Sequence, residues 1–175
     1  MYLLMKEQNF KTLLLADAEE SEETAMIAAN IGFCLASKSG YKVLIIDADL
    51  RTPFLHEKFN VPNTQGLADQ IAGRRPLVNA VHDLGSNLHF LPAGDDPTLD
   101  PMVMLGSKGM SDIVEEAKKL YEIVIVNCSD IKNFTDAVAL ASCMECVVFA
   151  VNDGKVRRQI VMNAISPFQL KDLKI

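Results

Sequence analysis

Val43-Leu44-Ile45-Ile46 runs straight into Asp47-Ala48-Asp49-Leu50-Arg51-Thr52-Pro53. A strand of four bulky apolar residues with no polar alternation has no face to give to water, so it needs cover on both sides. Similar runs occupy Thr12 to Ala16 and Ile123 to Asn127, and Leu88 to Pro92 and Cys146 to Asn152 add two more. Between them lie segments of helical period. Glu22 to Ser37 carries Met26, Ile27, Ile31, Cys34 and Leu35 at three- and four-residue spacing, which predicts a helix with that apolar face inward and a stop at Gly40. Met110 to Leu120 repeats the pattern with Ile113, Val114, Ala117 and Leu120, and Phe134 to Ala141 and Val156 to Ile165 are shorter helices of the same kind. The order is β-α-β throughout, so the expected fold class is α/β, a three-layer parallel sheet with helices on both faces and right-handed crossovers.

The 175 residues fit one domain, and 49% hydrophobic against 23% charged residues is an ordinary globular balance. Pro62 to Gly66 and Pro92 to Pro101 have the chemistry of loops. After the last helix, Leu173 and Ile175 begin an alternating pattern, as if a further strand were starting, which suggests a domain from a longer protein or one whose last strand is missing. No apolar run reaches the roughly 18 residues of a membrane span, so direct membrane insertion is not expected and a cytoplasmic location is. A formal charge of −6 opposes nonspecific nucleic-acid binding; Arg74-Arg75 and Arg157-Arg158 leave a local basic patch open, but two such pairs are expected as solvated helix ends rather than phosphate readers. Four cysteines in a reducing compartment are expected as buried thiols, and Cys143 and Cys146, at the spacing of a metal half-site, lack a second pair and are expected to pack in the core. The three histidines have no partner at metal spacing, and no Gly-x-Ser-x-Gly elbow is present. Met102, Met104 and Met110 are expected mainly as loop-covered core.

In an open α/β sheet, ligands gather beyond the carboxyl ends of the strands. The segments there are Asp17 to Thr24, Asp47 to Pro53, Asn127 to Asp130 and Asn152 to Lys155. The most specific is the first quoted: a buried strand that delivers Asp47, Asp49 and Arg51 to one edge. It resembles the second acidic motif of the bacterial tyrosine kinases (BY-kinases) of capsule and exopolysaccharide export, relatives of the deviant-Walker P-loop ATPases that partition plasmids and place division sites. Phe54-Leu55-His56, Gly66-Leu67-Ala68-Asp69 with Ile71-Ala72-Gly73, Leu91-Pro92-Ala93-Gly94, Thr135-Asp136-Ala137 and Ala28-Ala29-Asn30 match the same family, from Thr12 to about Arg158. The resemblance implies a P-loop NTPase-like fold.

The same resemblance places the family's phosphate loop on residues 19 to 25. A working loop needs glycines, a lysine and a metal-binding hydroxyl. Ser21 and Glu23 stand at the glycine positions, Thr24 at the lysine and Ala25 at the hydroxyl. Loss of the lysine removes a charge-assisted contact of about 1.5 to 3 kcal/mol. Each of the loop's carboxylates, at ~7 Å from a phosphate charge, adds roughly 0.6 kcal/mol of repulsion in water and about 2 at an effective dielectric near 20. Either Glu22 and Glu23, with Ser21 as N-cap, occupy the ground a phosphate would take, or they are solvated first-turn residues; both readings are hostile to nucleotide. Asn127 replaces the aspartate that helps hold the metal's water shell, and drops its charge. Asp47 and Asp49 remain, either as a poor Mg²⁺ site or as turn and N-cap acceptors around Arg51 and Thr52. The tyrosines Tyr2, Tyr41 and Tyr121 do not cluster, unlike the tyrosine-rich tail of the family's kinases, and the arginine-bearing helix that those kinases place before the first strand is not visible in Met1 to Lys11.

The resulting expectation is a catalytically degenerate BY-kinase-like domain, a regulatory or assembly module without ATP or Mg²⁺. Its vestigial pocket would be Ser21, Glu22, Glu23, Thr24, Ala25, Asp47, Asp49, Arg51 and Asn127. Its partners would be proteins of the polysaccharide export machinery at the inner face of the membrane, such as a membrane-anchored chain-length regulator, an active homologue or a second copy. The alternative is an active ATPase or tyrosine kinase, with Asp47 and Asp49 on Mg²⁺ and Arg51 near the phosphates. A cysteine-dependent redox or metal module is a third, weaker reading.

Overall fold

The computed structural model describes residues 10–17, 22–73, 77–95, 100–128, 135–151 and 157–169, with Glu22 described in its backbone only. β1 (Thr12–Asp17) leads into α1 (Glu22–Ser39) and β2 (Val43–Asp47). Two short helices follow, α2 (Leu55–Lys58) and α3 (Leu67–Ile71), then a 3-10 turn (Leu77–Asn79), β3 (His82–Asp83) and β4 (Leu88–Leu91). The second half is α4 (Pro101–Leu105), α5 (Lys108–Leu120), β5 (Ile123–Asn127), α6 (Asp136–Leu140), a 3-10 turn (Ala141–Cys143), β6 (Cys146–Ala150) and α7 (Arg158–Gln169). The sheet order is β3-β4-β2-β5-β1-β6, parallel except where β3 meets β4. This is the expected α/β architecture, and the five expected strands lie where the apolar runs placed them, with ends differing by up to two residues.

β1, β2 and β5 are buried at every residue, because the sheet has a core on each side. Leu14, Leu44, Ile46, Val124 and Val126 face α5, α6 and α7, while Leu13, Leu15, Ile45, Ile123 and Ile125 face α1 and α2. On α5, Met110, Ile113, Val114 and Ala117 are buried as the periodicity predicts, and Ser107 Oγ caps the helix by accepting from Met110 N. Leu120 belongs to the last turn and is 44% exposed, against expectation. α7 buries Ala164 and Phe168, the latter edge-on to Phe149 of β6, and runs four residues beyond the expected end.

α1 forms as expected, but of its predicted apolar face only Leu35 is buried and Ile31 half-buried against the sheet. Thr24, Ala25, Ala28, Ala29, Gly32, Leu35 and Ala36 are buried, whereas Met26, Ile27 and Cys34 are exposed, as is Phe33. Only small residues let this helix lie close: a Cβ on Gly32 would sit 2.6 Å from Ile45 Cδ1. Close approach of backbone to sheet therefore outweighs the burial of the larger side chains.

Of the loop expected from Pro92 to Pro101, residues 92–95 and Asp100 are irregular and 96–99 lie outside the described residues, while Pro101 already starts α4 behind an Asp100 cap that accepts from Met102 N at 2.8 Å. Met104 and Met110 are core, but Met102 is 48% exposed. Of the cysteines, Cys128 is buried, and Cys143 and Cys146 are half-buried and pack against the core as expected, Cys146 on the edge strand β6. The alternating segment after α7 lies outside the described residues, as do residues 152–156, where the last helix was expected to begin.

Two matched motifs turn out to form one joint beyond the strand ends. Leu67 N and Ala68 N donate to Pro92 O and Ala93 O at 2.7 and 2.9 Å. Asn63 clamps Gly94 from both sides, donating to its carbonyl at 3.0 Å and accepting from its N–H at 3.1 Å. A Cβ on Gly66 would lie 2.3 Å from Gly94 N and Pro92 O, so the close approach demands glycine.

Candidate functional site

Because β5 lies between β2 and β1, the ends of these three strands form one edge. Asp47 and Asn127 are register partners, and Leu15, two residues before Asp17, pairs with Asn127 on the other side. Asp17, Asn127 and Asp47 thus form a row across the edge.

Asp47 is fully buried. Its Oδ1 accepts from Asn127 Nδ2 at 3.0 Å and Asp49 N at 3.3 Å, and its Oδ2 from Leu55 N at 3.3 Å. Burial pushes its carboxyl up from 3.8 to about 7; the Asp49 charge adds to this, and the hydrogen bonds, led by Asn127, oppose it. Asp49 closes the following turn, with Oδ1 accepting from Arg51 N at 3.2 Å and Thr52 N at 2.9 Å, and Oδ2 from Thr52 Oγ1 at 3.1 Å. Both aspartates therefore make the turn and helix-start hydrogen bonds that their sequence positions allow.

Arg51 turns to Asp136 at the start of α6. Nε donates to Oδ2 at 2.8 Å and Nη2 to Oδ1 at 3.1 Å, a two-point ion pair onto a buried carboxylate. Asp136 first, then Asp100 and Asp49, hold the guanidinium above its ordinary range against the effect of burial.

At the start of α1, Thr24 is buried and its hydroxyl donates to Asp17 Oδ2 at 2.7 Å. Ala25 is buried and Glu23 is exposed. Ser21 and the side chain of Glu22 lie outside the described residues, and so does the expected capping of α1 by Ser21. Among the described residues, no group of three or more His, Cys, Asp or Glu side chains is arranged to hold a metal ion.

The structure thus joins Asp47, Asp49 and Asn127 directly, holds Thr24 on Asp17, and commits Arg51 to Asp136. Asp17 and Asp136 are the partners that site selection by sequence did not name. Asp17 lay in a strand-end segment and Asp136 in a matched motif, but neither position discloses a hydrogen bond to a particular side chain.

No family model matches the chain. It is 30% identical over 154 residues to the tyrosine-protein kinase YwqD of Bacillus subtilis, covering 87% of this chain and 64% of that protein. It is 27% identical over 168 residues to the succinoglycan biosynthesis transport protein ExoP of Rhizobium meliloti, covering 94% of this chain and 21% of that protein. The chain therefore spans less than two thirds of either relative. Its fold matches the kinase domain of the Escherichia coli tyrosine kinase ETK with a TM-score of 0.91, at 23% identity over 99% of this chain and 68% of that one. The chain is thus similar in sequence to bacterial tyrosine-protein kinases such as YwqD, and it shares the fold of the ETK kinase domain.

Proposed function

We propose that this chain is a catalytically degenerate member of the bacterial tyrosine kinase family, serving as a regulatory or assembly module in capsule or exopolysaccharide biosynthesis and export without tightly bound ATP or Mg²⁺. The observation that carries the reading is the buried Thr24 to Asp17 hydrogen bond, 2.7 Å long, at the position of the phosphate-binding lysine. A hydroxyl held on a carboxylate offers no charge to a phosphate, and the carboxylate repels it. Asn127 supports the same reading: its amide donates to Asp47 where an aspartate would share a metal's water shell. Ala25 has no side-chain oxygen for a metal ion, so the side chains present fit a Mg-nucleotide poorly.

The link to polysaccharide rests on relatives such as ExoP, named for succinoglycan biosynthesis and transport. What the domain keeps is a shaped strand-end surface, and its use is contact with another protein: a membrane-anchored chain-length regulator, an active homologue or a second copy. Among the described residues no helix is long and apolar enough to cross a membrane, so residence at the inner membrane face would come through that partner or a longer parent chain.

Titration of the full chain with Mg-ATP and Mg-ADP by calorimetry tests the proposal. No saturable heat is expected; micromolar affinity overturns it. The combined Ser21→Gly, Glu23→Gly, Thr24→Lys, Ala25→Ser variant is expected to gain measurable affinity. The retention of Asp47, Asp49 and Arg51 on one edge favours a second reading, an active ATPase or tyrosine kinase with an atypical loop. Phosphate release or phosphotyrosine formation by the unmodified chain would establish that reading instead.

A further inference from the structure

Arg51 reaches the strand-end edge on the loop that carries Asp47 and Asp49, and a guanidinium there would ordinarily attract phosphate. Its fork is already filled. Nε and Nη2 meet the two oxygens of Asp136 at 2.8 and 3.1 Å, with the acid's side chain 1% exposed and that of the arginine 27% exposed. The carboxylate is sealed beneath, and the guanidinium lies over it with part of its edge toward solvent. Asp100 and Asp49 add further negative charge around the same group. An anion that drew Arg51 away would leave Asp136 as a buried, unpaired carboxylate, one of the costlier states a folded chain can adopt.

We propose that Asp136 is an autoinhibitory residue that withholds Arg51 from phosphate-bearing ligands at the strand ends. The inference rests on the reading of this edge as poor in anion affinity, and it names a device separate from the substitutions at residues 21 to 25. It also gives Arg51 a different task from the one the active-enzyme alternative assigns it.

The probe is inorganic tripolyphosphate, titrated into the full chain at low salt. Asp136→Asn keeps the shape and one acceptor but loses the charge, and is expected to bind at least about tenfold more tightly than the parent. The gain should vanish in Asp136→Asn with Arg51→Gln. A folded Asp136→Asn chain whose affinity stays within about twofold of the parent overturns the proposal, as does a gain that survives Arg51→Gln. If Asp136→Asn does not fold, the parent decides. Its Arg51 Nε resonance, assigned through Arg51→Lys, should ignore millimolar tripolyphosphate, and a saturable shift overturns the proposal. Micromolar Mg-ATP binding by the parent would sink the proposed function, yet an unmoved Arg51 resonance in that titration would leave this inference standing.

Discussion

Glu145 and Asp47 do the same job at opposite ends of the sheet, each accepting backbone N–H groups from a neighbouring segment, and they differ in what surrounds them. At the amino ends, Glu145 Oε2 accepts from Lys11 N at 2.6 Å and Thr12 N at 3.1 Å, and its Oε1 meets Lys118 Nζ at 3.0 Å. Burial opposes its charge, but the Lys11 N–H, the Lys118 ammonium and the Thr12 N–H outweigh it and hold the carboxyl below its ordinary value. At the carboxyl ends, the three donors on Asp47 are all neutral, burial and the like charge of Asp49 act against its ionised form, and the carboxyl rises to about 7. The amino end is built as a staple. The carboxyl end carries a carboxyl whose charge the surrounding fold does not match.

The largest way to disturb the carboxyl end is at its joint. Gly66→Ala puts a methyl group against the backbone of Pro92 and Gly94, atoms that cannot swing aside. The expected cost is about 3 kcal/mol in urea unfolding, with the Asn63 clamp on Gly94 lost. A loss below about 1 kcal/mol would mean that the two loops separate easily and that the joint does not hold this edge together.

Next comes the charge of Asp47. Its carboxyl titrates near 7 when folded and near 3.8 when unfolded, so between these values the native chain holds a proton that the unfolded chain has released. Its contribution is therefore fullest below the unfolded value, falls as pH rises through the folded value, and is gone above it. Asp47→Asn should flatten that slope and stabilise the chain at pH 8 by about 2 kcal/mol, less than the shift alone implies because the new amide places a donor near Leu55 N. A variant less stable than the parent at pH 8 would show that the ionised carboxylate is well matched after all.

Thr24→Val is the third and smaller test. The shape is kept, the hydroxyl is lost, and Asp17 forfeits a buried donor, at about 1.5 kcal/mol. Nucleotide affinity should stay absent. A stability change near zero would mean that the 2.7 Å hydrogen bond does not organise the start of α1.

These contrasts were unevenly legible in the sequence. β2 and β5 announce themselves because unbroken apolar runs admit few structures other than a doubly covered strand. α1 announces its existence but only part of its orientation: periodicity finds Leu35 yet weighs Met26, Ile27 and Cys34 above Ala28 and Gly32, and the distance to Ile45 shows why small residues face the sheet. α2, α3 and α4 have four or five residues each, about one turn, too few for a period to show. β3 has two residues and depends on β4 for its pairing. At the edge itself, resemblance locates Thr24 and Asn127, while their partners follow from packing. Arg51 and Asp136 stand 85 residues apart, and nothing local to either points to the other.

The smallest effect belongs to the staple, and it should run the opposite way with pH. Glu145→Gln keeps one side-chain oxygen for the N–H groups of Lys11 and Thr12 but breaks the ionic contact with Lys118, which is shared with Glu115 and partly exposed. Solvent screening limits the expected loss to about 0.5 to 1 kcal/mol at pH 7. Because the folded carboxyl lies below its unfolded value of 4.5, its contribution is present above that value and lost as pH falls through the folded one. The gap between parent and Glu145→Gln should therefore close in acid, whereas the gap between parent and Asp47→Asn opens as pH rises toward 8. Unfolding curves of both variants across that range separate the two ends: parallel profiles would show that Glu145 and Asp47 sit in equivalent surroundings, and the contrast between the matched and the unmatched carboxyl would fail.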